Sequence, residues 1–444
     1  MVIGVLDNSI APGDRVIPWL SECSNQWRFK PLKYFCAVNR LALPETTELE
    51  YEFLYIDINS VNSEGYWTPS ESIIFSDAPS RARRIVQDGD VIVSTVRTYL
   101  KAISFIEKVN GNLICSTGFA VLAPGASVYP KFLFYWARSE WFVNEIVARS
   151  VGVSYPAINA IEIGNLPFPM ISTEEQQIIA DFLDRETRKI DELIARKQKL
   201  IELLQEQRTA LITHTITKGL NPDAPMKGSG IEWLGEIPAH WEMKRLRFLS
   251  KINPSKTETR NLSPDLEVTF LPMENVGCGD LNIEQTRELS SVSEGYTYFR
   301  DGDVLVAKIT PCFENGKGAI SEGLLNGIGF GTTELHIIRP TPDLDRRFLM
   351  YITISHAFRY IGESEMYGAA GQKRVSDKYI RDFTCPYPAP QEQQVIVDYL
   401  DQETFRIDSL VSRINQAIEK LQEYRSALIT AAVTGKIDVR KEAT

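Results

Sequence analysis

The sequence predicts an α+β chain: two globular domains, each a small mixed sheet plus helices, joined by two long antiparallel coiled-coil helices with pseudo-two-fold symmetry. Three observations carry this. The phrase EEQQIIADFLD (174–184) returns as QEQQVIVDYLD (391–401). Aligning 174–217 with 391–434 gives 24 identities in 44 positions. The stretch before each copy matches more faintly, as QDGDVIVSTV (87–96) against RDGDVLVAKI (300–309) and KFLFYWARSEWF (131–142) against RFLMYITISHAF (347–358). Internal repetition at this scale means one structural unit used twice.

Taken in order, residues 1–25 show no basic stretch leading into an apolar run, so no signal peptide is expected. Residues 26–170 form the first globular domain. Its VIVSTV run follows an Asp-Gly turn signal, and FLFYWARSEWF has aromatics at helical spacing. The exit NLPFPM holds the chain extended. Residues 171–219 form the first long helix. Ile179, Leu183, Ile190, Leu193, Leu200, Leu204 and Leu211 recur at steps of three and four, with Glu186, Lys197 and Gln207 between them, which is a heptad seam. Thr173 and Gln176 fit a capping box, and Gly219 suits a left-handed stop. Residues 220–240 begin as a linker, but SGIEWLGEIPAHW is too apolar for a solvated tether. Trp233, Leu234 and Trp241 either pack on the second domain or dock a partner protein. Residues 241–389 form the second domain, leaving through CPYPAP. Residues 390–436 are the second helix, with seam residues Ile396, Leu400, Ile407, Leu410, Ile414, Leu421 and Leu428, Pro388 and Pro390 at its start and Gly435 at its end. Residues 437–444 are a tail. Each helix would be roughly 65 Å long at 1.5 Å per residue. Neither buries its stripe alone, so the two pack on each other, antiparallel as a two-fold requires, or each folds back on its own domain.

Composition narrows the function. The formal charge is −10, which disfavours a chain that coats nucleic acid unaided, although local basic loops remain possible. Six cysteines lie far apart without a CxxC pair, so zinc and a disulfide framework are not expected, and a reduced cytoplasm fits. The four histidines do not cluster, and no phosphate-loop motif occurs; ENGKG (314–318) lacks the leading glycine and the hydroxyl. GIGFG (327–331) reads as a loop. Asp88-Gly89-Asp90 and Asp301-Gly302-Asp303 read as turns rather than as acid–base pairs. No Asn/Asp-Pro-Pro-aromatic tetrapeptide, helicase or nuclease signature is present. No catalytic residue and no metal site is expected.

The order of proline-rich exit, EEQQIIADFLDRETRKIDELIARKQKLIELLQEQRTALITHTITKGL and SGIEWLGEIPAHWEMKRL resembles the specificity subunit of type I restriction-modification systems. The resemblance runs from about Trp27 onwards. The first 25 residues depart from it, because only IPWLSECSNQW loosely matches the opening such proteins often have. The resemblance implies two target recognition domains, each reading one half of an asymmetric split DNA target, and a coiled coil that fixes their spacing. It also implies docking of two modification (methyltransferase) subunits that carry S-adenosylmethionine and methylate adenine, and of restriction subunits that use ATP and Mg. The chain itself would bind no cofactor. Two heads on one face of B-DNA should stand about one turn apart, roughly 34 Å.

The DNA-binding candidates are polar and basic loop residues. In the first domain they are Arg81, Arg83, Arg84, Ser94, Arg97, Tyr99, Lys101, Ser154 and Tyr155. In the second they are Lys308, Thr310, Lys317, Gln372, Lys373 and Arg374. Arg and Lys suit guanine and Gln suits adenine, through paired hydrogen bonds. Gln372-Lys373-Arg374, after a glycine-bounded pair of alanines, is the strongest group. Two competing readings are a non-catalytic protein-binding scaffold of tandem modules on a coiled coil, and an enzyme with a site split across the units at Asp90 and Asp303.

Overall fold

The computed structural model describes residues 27–439, except 70, 110, 153–154 and 369–371. The chain divides into two units, Met1–Lys197 with Asn415–Thr444 and Gln198–Ile414. Each unit holds one globular domain and one half of each long helix, Thr173–Lys218 and Pro390–Val433.

In the first unit an antiparallel sheet runs Cys36–Val38, Phe119–Pro124, Val91–Ser94, Ile103–Phe105. A second sheet runs Ile73–Ile74, Glu52–Ile56, Leu113–Ser116, Ala82–Ile85, with its two central strands parallel. The β-branched run VIVS is buried along its whole length because it is a central strand. Asp90 is buried at the turn before it and accepts a hydrogen bond from Gln87 N at 2.9 Å, while Gly89 takes φ +90°. Pro130–Arg138 and Glu140–Arg149 are helices divided at Ser139, whose hydroxyl caps the second by accepting from Phe142 N.

The second unit repeats this plan. One sheet runs Ser250–Ile252, Leu335–Pro340, Val304–Ala307, Gly318–Ile320; the other runs Thr286–Glu288, Glu267–Leu271, Ile328–Gly331, Thr297–Arg300. Asp303 takes the place of Asp90 and accepts from Arg300 N, and Ser355 caps His356–Ser364 as Ser139 does in the first unit. GIGFG is not a loop: Ile328–Gly331 is a central strand. Glycine serves there because a Cβ on Gly329 would stand 2.3 Å from the Phe299 ring.

Within the first unit, Ile179 and Leu183 of the first helix share a core with Ile429 and Val433 of the second and with Phe132, Trp136 and Phe168 of the domain. Arg425 there forks onto Asp191 at 2.9 and 3.2 Å. Within the second unit, Ile212 and Ile216 of the first helix share a core with Ile396 and Leu400 of the second and with Trp241, Phe348 and Phe358. Arg208 there meets Asp408 at 3.3 Å. In both units the start of one helix packs beside the end of the other, so the paired halves run antiparallel. The helices therefore pair with each other and also pack on a globular domain; the two sequence alternatives are not exclusive.

The seam is rotated from the expected one. Ile179, Leu183, Ile190 and Leu204 are buried, but Leu193 and Leu200 are 43% and 44% exposed, and Leu410 is 44% exposed. Thr187 is buried where Glu186 was expected, and the half-buried Ile194, Ile201 and Arg208 replace Leu193, Leu200 and Gln207. Two heptad phases share Ile190 and Leu204. The structure takes the one that seats β-branched residues inward.

The helix starts also differ in detail. Ser172, not Thr173, caps the first helix by accepting from Glu175 N. Gln176 is 1% exposed and enters the domain instead: it accepts from Tyr129 N at 2.8 Å and donates to Ser127 O and Ile171 O at 3.0 Å. Gln393 repeats this with Asp345 N, Asp343 O and Pro388 O. Gly219 and Gly435 end the helices at φ +74° and +69°, as expected.

Gln393→Ala strands one buried N–H and two carbonyls. It is expected to destabilise the second unit by about 2–3 kcal/mol. A lower urea midpoint by tryptophan fluorescence checks this; an unchanged midpoint contradicts it.

Candidate nucleic-acid interface

The same two-loop platform is built in each unit. In the first, the loop after Val91–Ser94 runs beside the loop after Glu140–Arg149. Val96 bridges Ala157, which also bridges Val151. Arg97 N donates to Pro156 O at 2.8 Å, and Ile158 N donates to Thr95 O at 2.9 Å. In the second unit, Ile309 bridges Arg374, which also bridges Tyr367. Thr310 N donates to Lys373 O at 3.0 Å, Lys373 N donates back to Thr310 Oγ1 at 3.0 Å, and Val375 N donates to Lys308 O at 2.9 Å. Each platform hangs from a central strand and a capped helix, so a rigid frame presents polar loop residues.

The platform gathers many of the residues expected to read DNA, but not all. In the first unit Arg97, at φ 51°, lays its guanidinium over the Tyr155 ring at 4.6 Å. Tyr99 is 53% exposed, and Lys101 is exposed beside it at φ 55°. Ser154 lies outside the described residues. Ser94 is corrected: it is 3% exposed and its hydroxyl donates to Val96 O, so it shapes the turn rather than facing a ligand. Arg81 is exposed beside the platform, its carbonyl accepting from Thr117 N. Arg83 turns away and stacks over Phe75 at 4.6 Å. Arg84 is half-buried and lines a cleft of about 430 Å³ with Asn39, Thr95, Thr117, Phe119, Ile158 and Ala160.

In the second unit Gln372 and Lys373 are exposed. Arg374 is corrected: it forks onto Glu334 with two 2.9 Å bonds and is committed to holding the loop. Lys308 and Thr310 are half-buried at the base of the platform, and Lys317 donates to Met273 O at 3.4 Å. Of the residues expected to meet a partner, Trp241 and Leu234 are 0% and 7% exposed within the core of the second unit, which withdraws them. Trp233 remains 42% exposed, stacked on Phe383.

Behind the second platform lies a polar cluster that sequence reading missed. His336, 1% exposed, brings Nε2 to 2.9 Å from Val375 O and Nδ1 to 3.2 Å from Asp377. Asn253 donates to the other Asp377 oxygen at 2.9 Å. On the same strand Arg339 forks onto buried Asp303 at 2.6 and 2.8 Å and reaches Glu258. Strand register places Ala120 opposite Val93 as His336 stands opposite Val306. The first unit thus has alanine in the histidine position. The only sequence signal was one histidine inside a strand-like run, which is more often a core residue than a functional one.

The His336 hydrogen bond, helped by Asn253, holds the Asp377 carboxyl down at about 2. Burial raises Asp90, against the backbone hydrogen bond from Gln87. Asp90 and Asp303 each bind their own turn, and Asp303 is further held by Arg339. Among the described residues no group of three His, Cys, Asp or Glu could hold a metal, and no helix is long and apolar enough to cross a membrane.

A family model described as the type I restriction modification DNA specificity domain matches residues 25–203 and 238–420. The specificity subunit of the Escherichia coli type I restriction enzyme EcoAI is 37% identical over 200 residues, 44% of this chain and 33% of that subunit. That of E. coli EcoEI is 33% identical over 237 residues, 52% of this chain and 39% of that one. These matches span well under half of either curated relative. The MjaVIII specificity subunit of Methanocaldococcus jannaschii is 25% identical over 320 residues, 70% of each chain. In fold, the chain is similar to one solved in a study of assembly and conformational transition of the type I R-M system, at TM-score 0.72 and 23% identity over 94% of this chain and 99% of that one. It is also similar to the HsdS subunit of Thermoanaerobacter tengcongensis, at TM-score 0.51 and 23% identity over 93% and 97%.

Asp377 yields a pH test. Its folded-state pKa lies below its ordinary 3.8, so its stabilisation is complete above about pH 4 and is lost as pH falls through about 2. The urea-midpoint gap between wild type and Asp377→Asn is expected to narrow as pH falls from 5 towards 2. A gap independent of pH contradicts the pairing.

Proposed function

The chain belongs to the type I restriction-modification DNA specificity family, and on that premise we propose that each unit reads one half of an asymmetric, split double-stranded DNA target. The observation that carries this is the repeated platform with unlike side chains. One frame presents Arg97, Tyr99, Lys101 and Tyr155; the other presents Gln372 and Lys373. A common frame with different hydrogen-bonding groups suits two different half-sites. Arg97 on Tyr155 offers a flat cationic surface, and Gln372 an adenine-type donor–acceptor pair.

The long helices act as the spacer and as the dock for two modification subunits. Gln177, Asp181, Leu193 and Arg196 recur as Gln394, Asp398, Leu410 and Arg413, all exposed in both copies. None of them lies in a hydrophobic core, and Asp398 alone of the eight accepts from its domain, from Arg347 at 3.0 Å. Their recurrence supports one kind of partner met twice, once per unit. The partners carry S-adenosylmethionine, and restriction subunits carry ATP and Mg; this chain contributes recognition without catalysis, in the cytoplasm. The net charge of −10 fits a reader whose partners supply part of the phosphate contact.

The test is methylated-adenine mapping in the host with and without this gene, and with residues 26–170 exchanged for those of another family member. The expected result is a bipartite motif that vanishes with the gene and changes in one half on exchange. The same adenines methylated after exchange would refute DNA reading. Lys101→Ala is expected to weaken DNA binding evenly across sequences and to lower the salt slope by about one.

A further inference from the structure

We infer that His336 is a positioning residue that sets the selectivity of the second reading loop, through Val375 and Asp377. The inference rests on the DNA-reading function proposed above and extends it to a residue that no DNA would touch. The ring reaches both partners at once, with Nε2 against the Val375 carbonyl and Nδ1 against the Asp377 carboxylate. One bond fixes the backbone two residues after Lys373. The other fixes the first residue of the capped helix Asp377–Asp382. Asn253 completes the frame: it donates to Asp377 and accepts from Ile337 N at 2.9 Å, within the strand that carries His336.

Comparison of the two units argues that this is a device of one unit and not a requirement of the fold. Hydrogen bonds at the base of each platform identify matching positions. Ile158 N to Thr95 O matches Val375 N to Lys308 O, and Thr95 N to Gly118 O matches Lys308 N to Glu334 O. Ala160, the first residue of its helix after the Asn159 cap, matches Asp377 after Ser376. The first unit therefore has Thr95, Gly118, Ala120 and Ala160 where the second has Lys308, Glu334, His336 and Asp377. The first fixes its loop by the Arg97–Tyr155 stack and leaves a cleft between Asn39 and Ala160. The second fills that place with a polar clamp, and Arg374 on Glu334 closes its other side. With its flanks held, the loop presents Gln372 and Lys373 in one register, which paired hydrogen bonds to a base edge require.

The experiment uses the full chain assembled in the host with its modification subunits, and maps methylated adenines. A Gln372→Ala/Lys373→Ala double variant first identifies the half-site of the second unit. His336→Ala and Asp377→Asn are then expected to relax that same half-site, with discrimination falling about tenfold, the order of one lost base contact. The other half-site and the spacing stay as in wild type. His336→Gln, whose amide still reaches an acceptor, recovers part of the loss. Full stringency in both half-sites for His336→Ala and Asp377→Asn, while the double variant relaxes one, overturns the inference and leaves DNA reading intact. Fewer methylated sites with both half-sites still stringent also overturns it, since that is a folding effect alone. If His336→Ala yields no folded chain, Asp377→Asn, on a half-exposed residue, decides. A double variant that changes neither half-site would overturn the DNA-reading function, and this inference with it.

Discussion

A helix used twice must satisfy the same charges twice, and that constraint orders the rest of the molecule. Asp191 and Asp408 are one position of the repeat; Arg208 and Arg425 are another. Side by side in parallel register, Asp would face Asp and Arg would face Arg, which is repulsive. Head to tail, each aspartate meets the other copy's arginine. Both pairs are made, at 2.9 Å in one unit and 3.3 Å in the other. The partly buried pair also accepts Tyr66 OH at 3.1 Å. Charge therefore selects the antiparallel register, while the β-branched seam supplies the burial.

A second set of identities in the helix is explained by its attachment. Gln176 and Gln393 stitch the helix starts to the domain backbone. Two or three turns later, Asp184 and Thr187 hold the Tyr135 hydroxyl, as Asp401 and Thr404 hold that of Tyr351. Lys131 and Arg347 cover the same aspartates. Each contact links a helix to a domain helix, so both partners recur together. The platform loops carry no such obligation. Backbone bonds between the two loops recur in both units, while the side chains that brace them differ, Arg97 on Tyr155 in one and Arg374 on Glu334 in the other. That division explains why the chain repeats closely along its helices and diverges at its tips, and it fits a reader with a constant frame and variable heads.

Much of this was legible in the sequence. The repeat, the helix stops at Gly219 and Gly435, and the Asp-Gly turns before VIVS and VLVA follow from local chemistry and were found where expected. The seam phase was not legible, because the two candidate stripes, one through Leu193 and one through Ile194, differ by one residue and both carry apolar side chains. The difference was decided by Thr187, whose hydroxyl bonds Leu183 O and lets it sit inward. GIGFG misled because glycine signals a loop, whereas here it makes room for Phe299. At the candidate site, exposed basic loop residues were identifiable as a class. Their separation into reading and holding groups was not. Arg374, Ser94 and Arg83 are committed to Glu334, Val96 and Phe75, and these partners are distant in sequence or invisible to pattern. His336 and Asp377, 41 residues apart, meet only through the fold.

The central claim, that paired helices set the distance between two reading heads, is open to one direct measurement. One heptad is inserted in each helix, after Lys197 and after Ile414, and the methylated target is mapped. A heptad adds about 10.5 Å, or about three base pairs at 3.4 Å each. The account expects both half-sites unchanged and the spacer between them longer by about three base pairs. An unchanged spacer with full methylation would contradict it.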